Sequence, residues 1–168
     1  MSCKPKLRAL RLAGMLRKRP ELLLFDAAGT LIEPAEPVEQ VYARHFAARG
    51  WLTDPAIIRS GFRATFAGMG DPKFTDQASG EAAERDWWRE VVVRTAVSAG
   101  VDPGHEFFES CFEDLFTHYA AGAAWKAFPE VEGVLLEARK AGYRMMVVSN
   151  FDRRLHREIG NQIGRAHV

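Results

Sequence analysis

Hydrophobic positions along the chain change their period several times, and each change marks an element. Leu22 to Phe25 form an unbroken apolar run that meets Asp26, two alanines and Gly29, which predicts a short buried β-strand over 21–26. The proline-spaced EPAEP segment after it predicts a loop. The spacing then becomes helical. Val38, Val41, Tyr42, His45 and Phe46 share one face over 38–49, and Gly50 is a natural stop. Asp54-Pro55 predicts a helix to about Gly68, with Asp54 as N-cap and Pro55 in the first turn. GMGDPKFTDQASG has the composition of a loop. Trp87/Trp88, Val91/Val92 and Thr95/Ala96 then recur up to Gly100. Asp102-Pro103 repeats the cap signal before a wide stripe running from Phe107 through Cys111 and Phe112 to Tyr119. Residues 37–120 therefore read as four helices burying their stripes against one another, with the aromatic face as bundle core and His45 as a packed histidine.

AAGAAWKAFPE leads out of this bundle. The next helix carries Glu130 and Glu132 in its first turn, Arg139 and Lys140 in its last, and stops at Gly142, so its charges suit the helix dipole. YRMMVVSN predicts a second buried strand, and FDRRLHREIG begins a further helix. The expected fold class is α/β: a partial Rossmann-like parallel sheet with an inserted helical unit of about ninety residues. Function in such sheets lies at the carboxyl ends of the strands, where Asp26 and Ser149 both fall. Neighbouring strands would bring both side chains to one crevice, with the insertion above it as a lid.

Composition narrows the function classes. A chain of 168 residues with 47% apolar content can bury one real core. With 23 basic and 22 acidic residues, no whole-molecule field points to a nucleic-acid partner. Cys3 and Cys111 lie too far apart for metal-ligand spacing, and Cys111 among phenylalanines reads as a small core residue. No apolar run has the length of a membrane span, so neither a membrane nor nucleic acid is expected as partner, and the expected location is cytoplasmic. Residues 1–20 differ from the rest, with seven basic side chains and no acid. They read as a basic N-terminal extension without an assigned role and lack the apolar core of a secretory signal.

Two strings carry a resemblance. FDAAGTL is similar to the first motif of the haloacid dehalogenase-like (HAD) hydrolases, hhhDxDGT(L/V), and VVSN to their second, an apolar strand ending in Ser or Thr. The helical segment between them resembles the family's cap in position and size, and SNFDRRL with the double tryptophan resembles a branch of helical-cap, phosphatase-like hydrolases. The resemblance implies a HAD-like core over 21–36 and 125–162, incomplete in this chain, and a helical cap over 37–124. It also implies a small phosphorylated metabolite as substrate. Asp26 would be the catalytic nucleophile, forming an aspartyl intermediate that water clears. Asp26 and the Ala28 backbone carbonyl would ligate Mg²⁺. Thr30 would brace the loop, Ser149 and Asn150 would hold the phosphate, and backbone N–H groups of the Asp26–Gly29 turn would add donors. A strand-end acid can also simply cap a helix, and Ser149 can simply end a strand. The Gly-Thr turn favours chemistry at Asp26.

The sequence departs from the family pattern at Ala28. In the family's phosphatases an acid two positions after the nucleophile protonates the leaving oxygen and later activates water, help worth about 10²–10⁴ in rate. The dehalogenases and a phosphonate-cleaving branch also lack it. A leaving group that needs no proton, an acid lent by the cap, and a retired enzyme each fit. A 2-haloacid dehalogenase and a catalytically retired ligand-binding protein are accordingly the alternatives. The family's third and fourth motifs, a basic residue and an acidic pair, lie on strands well past the second motif. The chain therefore reads as the front of a longer hydrolase, inactive as it stands. Arg153 and Arg154 read as solvated or rim residues, and the IGRAHV tail at 163–168 as artefactual.

Overall fold

The computed structural model describes residues 20–70 and 80–149. The N-terminal extension, most of the loop after Gly68, Asn150, Arg153, Arg154, the helix expected to begin at 151 and the tail lie outside the described residues.

Strand β1 (Leu22–Phe25) pairs in parallel with β4 (Arg144–Val147), in the register Leu22↔Arg144 to Phe25↔Val147. The parallel neighbours expected from the sequence are therefore present. Their burial is not. Leu24 is 61% exposed and its register partner Met146 is 52% exposed. Side chains alternate across a strand, so these two share a face. The opposite face is covered: Phe25 and Met145 pack against a cluster of Ala27, Leu31, Ile32, Val131 and Leu135. Val131 and Leu135 come from α5 (Val131–Lys140), which therefore shields one side of the pair. Helix α5 has Glu132 in its first turn and Arg139 and Lys140 in its last, and the chain turns out of it through Gly142 at φ 77.

A second, antiparallel pair joins β2 (Ile32–Pro34) to β3 (Trp125–Ala127), with Ile32↔Ala127 and Pro34↔Trp125 as partners. The sequence reading has only a loop here. Each strand is three residues long and one ends in proline, too short for an alternating pattern to show. The ribbon ties the chain leaving for the helices to the chain returning from them. Ala35 N–H adds a hydrogen bond to the Ala124 carbonyl at 2.8 Å, and Lys126 pairs with Glu33 at 3.4 Å.

Between the two strands of this ribbon stand α1 (Val38–Ala47), α2 (Pro55–Gly68), α3 (Gly80–Ser98) and α4 (Phe108–Ala120). Their stripes meet in one core that includes Val41, Tyr42, Phe46, Ile58, Val92, Phe108 and Phe112. Asp54 caps α2 as its sequence predicts, accepting from Ala56 N–H at 2.8 Å with Pro55 as the first helical residue. Asp102-Pro103 behaves differently. Asp102 accepts from Gly104 N–H at 2.8 Å and closes a turn, and α4 begins only at Phe108. Phe107 accordingly leaves the expected stripe and is 51% exposed. An Asp two residues before a free N–H serves a turn as readily as a helix, so the cap signal alone does not set the boundary. Among the described residues no helix is long and apolar enough to cross a membrane.

Candidate active site

The site grows out of the turn after β1. Ala27 is fully buried, and its carbonyl accepts from the N–H groups of Thr30, Leu31 and Ile32 at 3.2, 2.8 and 3.0 Å. Gly29 sits at φ 81, a backbone conformation that strongly favours glycine, and its N–H donates to the Ile32 carbonyl at 2.7 Å. The chain thus wraps around Ala27 and leaves Asp26 exposed at the carboxyl end of β1. Thr30 Oγ1 donates to Asp26 Oδ2 at 3.3 Å, a long hydrogen bond that ties the far side of the turn to the carboxylate. One expectation changes here. The Gly29 N–H is committed to Ile32 and does not point a free donor toward a ligand.

On the neighbouring strand, Val148 N–H donates to the Phe25 carbonyl at 2.8 Å and carries the parallel pairing one residue past β4. Asp26 and the half-buried Ser149 are the next residues on their strands, so both leave the sheet at the same edge. The structure places Asp26, Ala28, Thr30 and Ser149 on two adjacent strand ends, while Asn150 lies outside the described residues.

For a hard cation the local chemistry is right as far as it goes. The Asp26 carboxylate is an anionic oxygen donor, and the Ala28 carbonyl accepts none of the hydrogen bonds that close the turn. Among the described residues no cluster of three His, Cys, Asp or Glu completes a metal site. Asp26 and Ala28 therefore fit Mg²⁺ as part of a coordination shell.

A cavity of about 330 Å³ opens beside this turn. Ala28 and Gly29 line it together with Tyr42, Phe66, Trp88 and Phe112, one aromatic residue from each of the four helices. Sequence reasoning assigns these aromatics to bundle core alone. Phe112 is indeed 1% exposed, yet it also borders the cavity. Helical spacing identifies an inward face without saying whether that face meets another side chain or a void. Arg85 stacks over the rings of Phe112 and Phe116 at 5.0 and 4.9 Å and forms an ion pair with Glu113.

The remaining candidates settle as structural residues. His45 packs its ring 6.0 Å from that of His118, and desolvation lowers the pKa of both below the ordinary histidine value. Cys111 is fully buried, and burial pushes its thiol pKa up to about 11, leaving it a small hydrophobe rather than a nucleophile.

Comparison with known proteins bears on what this turn belongs to. Residues 20–168 match the family described as haloacid dehalogenase-like hydrolase. The human haloacid dehalogenase-like hydrolase domain-containing protein 3 is 30% identical over 151 residues, covering 90% of this chain and 60% of the human protein. Its mouse counterpart is 30% identical over 139 residues, covering 83% of this chain and 55% of the mouse protein. The chain thus spans a little over half the length of these relatives. A HAD family hydrolase from Deinococcus radiodurans R1, solved with bound phosphate and sodium, shares the fold at a TM-score of 0.52. It is 22% identical and covers 83% of this chain and 51% of that one. The match to the family over all of the described residues, strand turn and helical segment together, makes this chain a member of the haloacid dehalogenase-like hydrolases.

Proposed function

We propose that the complete protein hydrolyses a small phosphorylated metabolite through a covalent intermediate on Asp26, with helices α1–α4 serving as the cap over the site. The observation that carries this is the placement of the Asp26 carboxylate at the end of β1. Thr30 holds it there, and Ser149 lies at the end of the paired strand.

Asp26 is exposed and can present one oxygen to phosphorus while Thr30 engages the other. The Thr30 contact reduces the rotation of the carboxylate, so less ordering remains to be done on reaching the transition state. Ser149, on the adjacent strand end, supplies a hydroxyl to a phosphoryl oxygen, with Asn150 next to it in the sequence. Mg²⁺ held by the Asp26 carboxylate and the Ala28 carbonyl would supply positive charge against the repulsion between carboxylate and phosphate. Ala28 offers no proton to the leaving group, so the reaction is limited to groups that depart as stable anions.

Intact-mass measurement of the complete protein after rapid acid quench from acetyl phosphate tests the nucleophile. One added phosphoryl group is expected, located on the peptide containing Asp26 and lost in the Asp26→Asn variant. An adduct elsewhere, or an Asp26→Asn variant that still turns over, overturns the assignment.

A further inference from the structure

We infer that the cavity beside the turn receives the organic half of the substrate, and that this half is an aromatic ring system: the substrate is an aryl phosphate monoester. The inference rests on the Asp26 reading for the position of the phosphate. The ring-binding half stands on the cavity alone.

Continuity comes first. Ala28 and Gly29 belong both to the turn that carries Asp26 and to the cavity wall, so a molecule with its phosphate at Asp26 extends directly into the void. The volume, about 330 Å³, is roughly twice the 150 Å³ known to admit one benzene ring, which suits a two-ring body. The lining chemistry then excludes most metabolites. Phe66, Trp88, Phe112 and Phe116 supply ring faces and edges, and among the described residues no charged side chain lines the wall. A sugar or polyol phosphate would bury hydroxyls there without partners, each at the full cost of its desolvation. A flat aromatic body loses nothing of this kind.

One polar atom does face unsatisfied surroundings. The Tyr119 hydroxyl is buried and finds no hydrogen-bond partner among the described residues, although its ring lines the cavity.

Residue 28 points the same way by a different route. A phenol ionises near pH 10, whereas an aliphatic alcohol, like water, gives up its proton only at far higher pH. An aryl oxide therefore leaves without the general acid that Ala28 cannot provide. In the step inferred, an Asp26 oxygen attacks phosphorus and the bond from phosphorus to the aryl oxygen breaks, its electron pair going to that oxygen. The aryl oxide then takes a proton from solvent. Water attacks the phosphorus of the aspartyl phosphate, the bond to the Asp26 oxygen breaks, and the carboxylate is restored as inorganic phosphate leaves and returns a proton to solvent. Aryl phosphate and water become phenol and phosphate.

Calorimetric titration of the chain with 2-naphthol, 2-naphthyl phosphate and glycerol 3-phosphate tests the cavity without requiring turnover. The naphthyl ester is expected to bind roughly tenfold or more tightly than glycerol 3-phosphate. Phe66→Asp, at a rim position 48% exposed, should weaken 2-naphthol by a similar factor with an unchanged circular dichroism spectrum. Trp88→Leu, which keeps the site apolar but removes a ring, should do so more mildly. Equal affinity for the two phosphates, or 2-naphthol binding indifferent to both substitutions, overturns the inference. Turnover of the complete protein separates the two readings. Ring-selective binding without Asp26-dependent hydrolysis leaves the cavity assignment standing and removes the nucleophile. Asp26-dependent hydrolysis that prefers glycerol 3-phosphate does the reverse.

Discussion

Thr30 Oγ1 lies 3.3 Å from Asp26 Oδ2, four residues back along the chain, and closes the turn onto the carboxylate it follows. Gly29 at φ 81 reverses the chain between them, and so the two side chains meet across the turn as they could not in an extended segment.

Asp26→Asn should abolish turnover in the complete protein while leaving its circular dichroism and melting temperature unchanged. Asp26 is exposed and takes no part in either hydrophobic cluster, so the fold does not depend on its charge. Hydrolysis of p-nitrophenyl phosphate checks the first half and a thermal melt the second.

Thr30→Val should lower kcat by roughly ten- to a hundredfold, since one hydrogen bond to a charged group contributes about 1.5–3 kcal/mol. Thr30→Ser should restore most of it. A hydroxyl that acts by orienting Asp26 moves kcat more than KM, and steady-state kinetics on the two variants distinguish that from lost substrate binding.

Ala28→Asp should raise phosphatase activity for poor leaving groups, up to the 10²–10⁴ range of general acid–base help. The gain should shrink for p-nitrophenyl phosphate, whose leaving group needs little protonation. A plot of log kcat/KM against leaving-group pKa should therefore flatten in the variant. Because Ala28 also lines the cavity, the same substitution should weaken 2-naphthol binding.

Gly61→Ala should destabilise the helical unit by about 1–3 kcal/mol through overpacking. Gly61 is buried on α2, and a Cβ there would stand 2.9 Å from the Ser98 Cβ and 1.8 Å from its Oγ. Ser98 Oγ is itself bonded to the Thr95 carbonyl at 2.7 Å and cannot swing away without losing that bond. Pairing Gly61→Ala with Ser98→Gly should recover part of the loss in urea denaturation.

Stability should fall as the pH drops below about 6.5. Desolvation lowers the pKa of His45 and of His118 in the fold, with His118, Arg44 and Arg49 adding repulsion at His45 and Arg44 at His118. Asp114 at His45 and Glu36 at His118 oppose these shifts, each more weakly than desolvation. Below the ordinary histidine value of 6.5 the unfolded chain binds more protons than the native one, so the sign is acid destabilisation. The double variant His45→Gln, His118→Gln should flatten the melting temperature measured between about pH 7.5 and 5.5.

The sequence by itself determined the elements long enough to repeat a period and the residues with one conformational option. Val41, Tyr42 and Phe46 at helical spacing and Asp54 before Pro55 became what their pattern required, and the Leu22–Phe25 run into Asp26 became a strand without the burial expected of it. Gly29 and Gly142 turned where only glycine turns without strain. These depend on contacts between residues a few positions apart. What only the tertiary structure decided depends on distance in space. The β2–β3 ribbon is three residues to a strand, each meaningful only against a partner more than ninety positions away. Which face of β1 is covered depends on where α5 packs, against Phe25 and away from Leu24, and no local pattern records that. The aromatic stripe of α4 shows in the sequence that Phe112, Phe116 and Tyr119 point inward. Whether they close on one another or stand around a void depends on how far apart four helices and a strand turn hold them, and the packed chain leaves a cavity whose wall includes Ala28.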